Sequence, residues 1–233
     1  MNIMHNELAA IPAQHQADMK LARRYACQGP RYTSYPTAPQ FRGDFPLDQY
    51  RAWQESDGDH QRAPLSLYLH VPFCHDICYY CACNKIVTRK KNVAQQYLGR
   101  LQREISMQSE IAGRQRPITQ MHWGGGTPTY LDHAQITELM HLLASNFHLL
   151  DKGYREYSIE IDPRTVDHST IALLKGVGFN RISLGIQDFD PLVQKAVNRI
   201  QPYKQIAPLV ECIRAHDFRS LSFDLIYGLP HQD

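Results

Sequence analysis

The sequence predicts an α/β fold, a partial TIM-like (βα) barrel of about five parallel strands preceded by an extended N-terminal arm. Short apolar runs alternate with helical patterns, which is typical of a parallel sheet with right-handed crossovers. Glycines, carboxylates and cysteines follow the carboxyl ends of these runs, the rim where barrels of this type assemble their sites. Residues 1–24 are polar, and residues 28–48 hold four prolines and no periodic apolar face, so we assign residues 1–55 to the arm.

The barrel portion is expected to cover residues 56–233. Strands are predicted at 66–71, 118–123, 157–162, 181–187 and 221–228. Helices are predicted at 93–112, 134–147, 168–177, 190–198 and 203–215. An arc of five strands leaves an open edge, so we expect a fragment of a longer protein; the alternative is a short protein whose edge is covered by a partner or a lid.

The composition excludes several classes of protein. The 25 basic and 23 acidic residues give a formal net charge of +2, so bulk charge does not favour nucleic acid or a membrane surface. No apolar run approaches the roughly 18 residues of a membrane span, and the first 24 residues lack a signal-peptide core. We therefore expect a cytoplasmic protein whose thiols stay reduced, so that clustered cysteines are metal ligands or catalysts.

Four cysteines crowd into one short segment, HVPFCHDICYYCACNKIV. Cys74, Cys78 and Cys81 can converge on one centre from a loop, and thiolates are the usual ligands of iron–sulfur clusters. Three cysteines on a four-iron cluster leave one iron open to an outside ligand. A zinc site completed by His75 is the alternative, although zinc cysteines usually come as two separated pairs and the sequence holds no second CxxC.

Polar residues mark the ends of the later strands. The glycines from Gly124 to Gly126 let a backbone approach a ligand closely, or form a tight turn. Glu160 and Asp162 alternate with apolar residues and share one face, where a carboxylate needs a partner or a ligand. A salt bridge at the strand end is the alternative for Asp162.

The CxxxCxxC spacing after the first strand resembles the cluster loop of the radical S-adenosylmethionine (AdoMet) enzymes. Further segments resemble the oxygen-independent coproporphyrinogen III oxidases: LYLHVPFCHDICYYCACNKIVTR, HWGGGTPTYL, IEIDPR, GFNRISLGIQDF, VNR and DLIYGLP, with GPRYTSYPTAPQF similar to their N-terminal arm. The resemblance covers about residues 28–231. It does not include the rest of that family's barrel or its C-terminal helical domain, and it implies a partial radical-SAM barrel.

The resemblance implies the cofactors and the residues that bind them. It implies a [4Fe-4S] cluster on Cys74, Cys78 and Cys81, and two molecules of AdoMet. The first AdoMet would contact Tyr68, Gly125 and Glu160, and the second would contact Tyr80, Gly126, Thr127, Gln187, Arg199 and Asp224. Without the resemblance, each of these would be a routine polar residue, and Tyr68 would be a core tyrosine.

The implied activity is oxidative decarboxylation of two propionate side chains of coproporphyrinogen III to vinyl groups, which gives protoporphyrinogen IX without oxygen. Arg31 is assigned to a substrate carboxylate, with a solvated surface arginine as the alternative. Cys83 is assigned a catalytic role. A reduced flavodoxin-like protein is the expected electron donor, because clusters of this type work at low potential, and the full-length protein is expected to be a monomer.

Two rival functions stay open at this point. A haem-binding chaperone of the same family would keep the CxxxCxxC loop, but such proteins typically have phenylalanine where this sequence has Cys83, and they lack the N-terminal arm. A zinc-stabilised binding domain would bind zinc and show no visible absorbance after anaerobic reconstitution.

Overall fold

The structure is a computed structural model that describes residues 19–26, 36–55 and 63–232. The chain divides into two units, residues 1–46 and 47–233. In the described part of the first unit, helix α1 covers Met19–Tyr25 and a 3-10 helix covers Ala38–Gln40. Arg31 lies outside the described residues, so its assignment to substrate stays a prediction.

The second unit is built on a parallel sheet. Its strands, in chain order, are β1 Leu65–Val71, β2 Phe73–Cys74, β3 Ile86–Val87, β4 Pro117–Gly125, β5 His148–Leu149, β6 Glu156–Ile161, β7 Arg181–Gln187 and β8 Ser220–Leu225. The five longer strands lie in the order β1-β4-β6-β7-β8, every pair is parallel, and β5 pairs with β4. This arc confirms the predicted fold class. The strands β2 and β3 form a separate parallel pair.

Helix α2 Leu47–Glu55 precedes the first strand. The helices that connect the strands of the sheet are α3 Asn92–Ala112, α4 His133–Asn146, α5 His168–Gly176, α6 Pro191–Ala196 and α7 Tyr203–Ala215. The starts of α4 and α5 follow directly from the sequence, because Asp132 and Asp167 accept hydrogen bonds from the backbone N–H groups of Gln135 and Thr170. Each pair completes a capping box.

The two faces of the sheet differ in polarity. Alternate residues such as Val71, Trp123, Ile159 and Leu184 are buried in the core. This apolar face drives the helices onto the sheet. The intervening residues, among them His122 and Glu160, are polar, and they give the opposite face the character of a binding surface.

The boundary of the arm at residue 55 stays a prediction. Helix α2 falls in the second unit, where the Tyr50 hydroxyl donates a hydrogen bond to Gln108 Oε1 on α3 at 3.0 Å. Among the described residues, no helix combines the length and the apolar composition that a membrane crossing requires.

Candidate active site

A cavity of about 540 Å³ opens at the carboxyl ends of the strands. It brings together residues from the cluster loop and from the ends of β4, β6, β7 and β8. The sequence-predicted residues that line it are Cys74, Cys78, Tyr80, Cys81, Cys83, Gly125, Gly126, Thr127, Glu160, Gln187, Arg199 and Asp224. Residues so far apart in sequence meet because parallel strands all end at the same rim.

The glycine-rich end of β4 packs directly on the backbone of the cluster loop. Gly126 N donates to Val71 O at 2.9 Å, and Thr127 N donates to Phe73 O at 2.8 Å. A Cβ on Gly126 would stand 2.7 Å from the backbone of Pro72, closer than real contacts allow. Gly126 is therefore required because two segments of backbone approach each other closely at this position. A tight turn alone, one of the two roles expected from the sequence, would not explain this contact.

The cluster cysteines have different neighbours. Cys74 Sγ lies 3.5 Å from Thr127 Oγ1, and burial raises the pKa of the Cys74 thiol although this contact opposes the shift. Lys85 Nζ donates to the backbone oxygens of Cys81 at 2.9 Å and Cys83 at 3.4 Å. Lys85 therefore fixes the short segment that joins the third predicted ligand to Cys83.

Cys78 faces a buried ionic group. Asp162 Oδ2 accepts hydrogen bonds from Arg164 Nη2 at 2.6 Å and from Arg199 Nη1 at 3.1 Å. Burial alone would raise the pKa of Asp162, but the hydrogen bonds from Arg164 and the charge of Arg199 outweigh it and hold that pKa below its usual range. Both arginines also donate to Cys78 Sγ, Arg199 Nη1 at 3.5 Å and Arg164 Nη2 at 3.8 Å.

These residues fit the cluster that the loop predicts. Cys74, Cys78 and Cys81 line one cavity, and thiolates are the usual donor set for iron and sulfide. Two guanidinium groups and one carboxylate leave a formal charge of +1 beside Cys78, which a bound thiolate would balance. Among the described residues, no three His, Cys, Asp or Glu side chains are placed to hold a single metal ion. The His75 ring packs 4.6 Å from the ring of Tyr130.

Glu160 also lines the cavity, where two contacts hold its carboxylate. Its Oε2 accepts a hydrogen bond from Gly125 N at 3.3 Å, and its Oε1 lies 3.1 Å from His122 Nε2. His122 Nδ1 in turn lies 2.6 Å from Ser158 Oγ. His122 and Ser158 were not predicted from the sequence. They could have been found, because His122 lies two residues before Gly124 on β4 and Ser158 lies two residues before Glu160 on β6, which places them on the same inner face of the sheet.

Tyr68 is not among the residues that line the cavity. Its side chain stacks on His122 with ring centroids 5.8 Å apart, and its hydroxyl lies 3.0 Å from His70 Nδ1. Tyr68 is 60% exposed, so it is not a core tyrosine. Its contact with AdoMet stays a prediction, and His122 links it to Glu160.

The ends of β7 and β8 supply the remaining predicted residues. The register between these strands shifts between Gly185 and Gln187, and Gln187 has a φ of 68°, which is uncommon for a residue other than glycine. This bulge turns the end of β7 at the cavity wall. Asp224 Oδ2 accepts a hydrogen bond from Ser183 Oγ at 3.1 Å. Burial raises the pKa of Tyr80, which also lines the cavity.

Comparison with known proteins shows the family. The model of the radical SAM superfamily matches residues 68–233. The chain belongs to the radical SAM superfamily. Its match begins in β1 and includes the whole cluster loop.

Curated relatives of this radical SAM chain are oxygen-independent coproporphyrinogen III oxidases. The chain is 52% identical over 217 residues to that of Pseudomonas aeruginosa and 48% identical over 216 residues to that of Escherichia coli, in each case over 92% of the chain and 46% of the relative. The solved structure of coproporphyrinogen III oxidase from Escherichia coli, described there as a radical SAM enzyme, matches with a TM-score of 0.82 and 44% identity over 93% of this chain and 47% of that one. The chain thus spans about half the length of the relatives it matches.

Proposed function

We propose that the protein containing this chain oxidatively decarboxylates two propionate side chains of coproporphyrinogen III to vinyl groups and so forms protoporphyrinogen IX without oxygen. The observation that carries the proposal is the close similarity to curated coproporphyrinogen III oxidases over 92% of the chain. The cavity supports it, because the three predicted cluster cysteines and all of the predicted AdoMet residues except Tyr68 line the same cavity.

Cys74, Cys78 and Cys81 would hold the [4Fe-4S] cluster, which would supply the electron for cleavage of AdoMet to methionine and a 5′-deoxyadenosyl radical. Glu160 would contact the first AdoMet, since His122 and the backbone of Gly125 already fix its carboxylate.

The 5′-deoxyadenosyl radical would take one hydrogen atom from the propionate β-carbon and become 5′-deoxyadenosine. The substrate radical would then lose carbon dioxide and pass one electron to an electron acceptor, which would leave a vinyl group. Cys83 lines the cavity beside Cys81 and has no place among the three cluster ligands, so we assign it to this catalytic step.

A second AdoMet is part of the proposal. The residues that would hold that molecule also line the cavity: Gly126, Thr127, Gln187, Arg199 and Asp224. Arg199 is fixed for this task, because its Nη2 and Nε both donate to Gly185 O, at 2.7 Å and 3.2 Å. We assign Tyr80 to the same molecule and Tyr68 to the first one.

The proposed partners follow from the chemistry. Coproporphyrinogen III is the substrate, Arg31 is one carboxylate contact, and a reduced flavodoxin-like protein delivers the electron. We propose a cytoplasmic location and a monomeric full-length protein.

The experiment is anaerobic reconstitution of the full-length protein with iron and sulfide, followed by product analysis with coproporphyrinogen III, AdoMet and a reductant. Protoporphyrinogen IX supports the proposal. Haem binding without product would favour a haem-binding chaperone, and bound zinc without visible absorbance would favour a zinc domain. The Cys83→Ser variant should keep its iron and lose turnover, and wild-type turnover in that variant would remove Cys83 from the mechanism.

A further inference from the structure

The side chain of Arg164 lines the cavity, but the proposed function assigns it no role in binding the cluster or AdoMet. It follows Pro163 in the short 3-10 helix Pro163–Thr165 that begins where β6 ends. Its backbone N–H and its side chain both bind Asp162: N donates to Oδ1 at 3.0 Å, Nε to Oδ1 at 2.9 Å, and Nη2 to Oδ2 at 2.6 Å. This forked geometry fixes the guanidinium plane.

The guanidinium group that Asp162 holds in place also contacts Cys78. Arg164 Nη2 bonds both Asp162 Oδ2 and Cys78 Sγ, so one nitrogen joins the carboxylate to the sulfur. Cys78 and Asp162 are each 8% exposed, and water therefore screens these charges weakly. A lysine could not make the same set of contacts, because its ammonium lacks the planar fork.

We propose that Arg164 is a positioning residue for the second cysteine of the cluster loop and that it raises the reduction potential of the cluster this cysteine would bind. The inference rests on the proposed function only in requiring that cluster. Hydrogen bonds to ligand sulfur and nearby positive charge stabilise the more negative, reduced state of an iron–sulfur cluster, so both raise its potential. Arg199 shares the contact with Cys78, but Arg164 is free of the AdoMet assignment and isolates the effect.

The test is a reductive titration with dithionite of the full-length protein after anaerobic reconstitution, followed by electron paramagnetic resonance in the absence of AdoMet. At the potential where half of the wild-type cluster is reduced, Arg164→Gln should show about a tenfold lower ratio of reduced to oxidised cluster. For one electron that ratio corresponds to about 59 mV. Arg164→Lys should shift in the same direction by less, because it keeps the charge and loses the fork.

The matched control is Arg181→Gln. Arg181 also pairs with a carboxylate on the inner face of the sheet, that of Glu156, and within the part of the chain that the structure describes it donates to no thiol. Its variant should keep the wild-type potential. An equal shift in this control would overturn the inference, because the effect would then come from loss of any arginine.

The remaining outcomes are distinct. A wild-type protein that takes up no four-iron cluster overturns the proposed function, and a wild-type cluster with unshifted Arg164 variants overturns only the present inference. If Arg164→Gln takes up no iron, the test depends on Arg164→Lys. A cluster with the wild-type reduction potential in Arg164→Lys would contradict the inference. Loss of iron in both variants with an unchanged circular dichroism spectrum and melting temperature supports positioning, whereas loss of the fold in both makes Arg164 a purely structural residue.

Discussion

Gly125 donates its backbone N–H to Glu160 Oε2 at 3.3 Å, across 35 residues of sequence. The bond ties the glycine-rich end of β4 to the carboxylate of β6, and His122 holds the other oxygen of that carboxylate. Two of the three residues proposed for the first AdoMet are therefore placed relative to each other by the protein alone. A carboxylate that is held in this way would lose less entropy when it binds a ligand.

His122→Ala should weaken AdoMet binding through Glu160. Removal of the imidazole leaves one carboxylate oxygen without its partner, and a hydrogen bond to a charged group is typically worth enough to change affinity about tenfold. Isothermal titration of AdoMet into the reconstituted full-length protein measures the change. His141→Ala, on the exposed side of α4, is the control and should bind as the wild type does. Equal affinity in His122→Ala would show that His122 does not position Glu160.

Gly126→Ala should separate the end of β4 from the cluster loop. The new Cβ would approach Pro72 O within 2.7 Å and Phe73 O within 2.8 Å, and backbone cannot move aside as a flexible side chain can. We expect a loss of about 1–3 kcal/mol in the free energy of unfolding, the usual cost of overpacking, and a lower iron content after reconstitution.

The control for that substitution is Gly99→Ala. Gly99 lies on the exposed side of α3 and a Cβ there meets nothing within 4 Å. This variant should gain about 0.5–1 kcal/mol, because alanine is the better helix former. Urea unfolding of both variants measures the two changes in the free energy of unfolding, which should have opposite signs. Changes of the same sign would contradict the role given to Gly126.

Asp162→Asn should destabilise the second unit strongly. The substitution leaves the two largely buried arginines, Arg164 and Arg199, without their counter-ion, and breaking a buried pair in this way typically costs about 3–5 kcal/mol. The control is Glu110→Gln, which removes an exposed pair with Arg114 and should cost less than about 0.5 kcal/mol. Urea denaturation measures both, and similar small losses would mean that Asp162 is not what neutralises the arginines.

The same carboxylate sets a pH dependence of stability. The pKa of Asp162 in the folded protein lies below its unfolded value of about 3.9, so its contribution is fully present above that unfolded value and is lost as the pH falls through the folded pKa. Between pH 5 and 3 the wild-type protein should therefore lose more stability than Asp162→Asn does. Parallel curves of unfolding free energy against pH would contradict this assignment.

The fold could be predicted well from the sequence because its signals are local. Helix α7 was predicted at 203–215 and is found as Tyr203–Ala215, since apolar periodicity and the preceding Pro202 define both ends. Strand β8 was predicted to reach residue 228 but ends at Leu225, because the paired register with β7 ends there. A strand end depends on its neighbour, and the apolar pattern of one strand does not report it.

For the site, as for the fold, the sequence predicts the features that lie within one short segment and does not predict the contacts between distant segments. The cysteine spacing and the glycine run could be found in the sequence, since each lies within one short segment. The contact of Arg164 with Cys78 could not, because 86 residues separate them and only the sheet brings them together. For Asp162 the sequence left a salt bridge open as an alternative, and the structure contains that salt bridge, with two arginines in place of one.

The most direct test of the central claim is the fate of one hydrogen atom. Coproporphyrinogen III deuterated at the β-carbons of its propionates is incubated anaerobically with the reconstituted full-length protein, AdoMet and a reductant, and the 5′-deoxyadenosine formed is analysed by mass spectrometry. The account predicts one deuterium in 5′-deoxyadenosine together with vinyl-bearing product. Protoporphyrinogen IX formed beside unlabelled 5′-deoxyadenosine, or 5′-deoxyadenosine formed without any vinyl product, would contradict it.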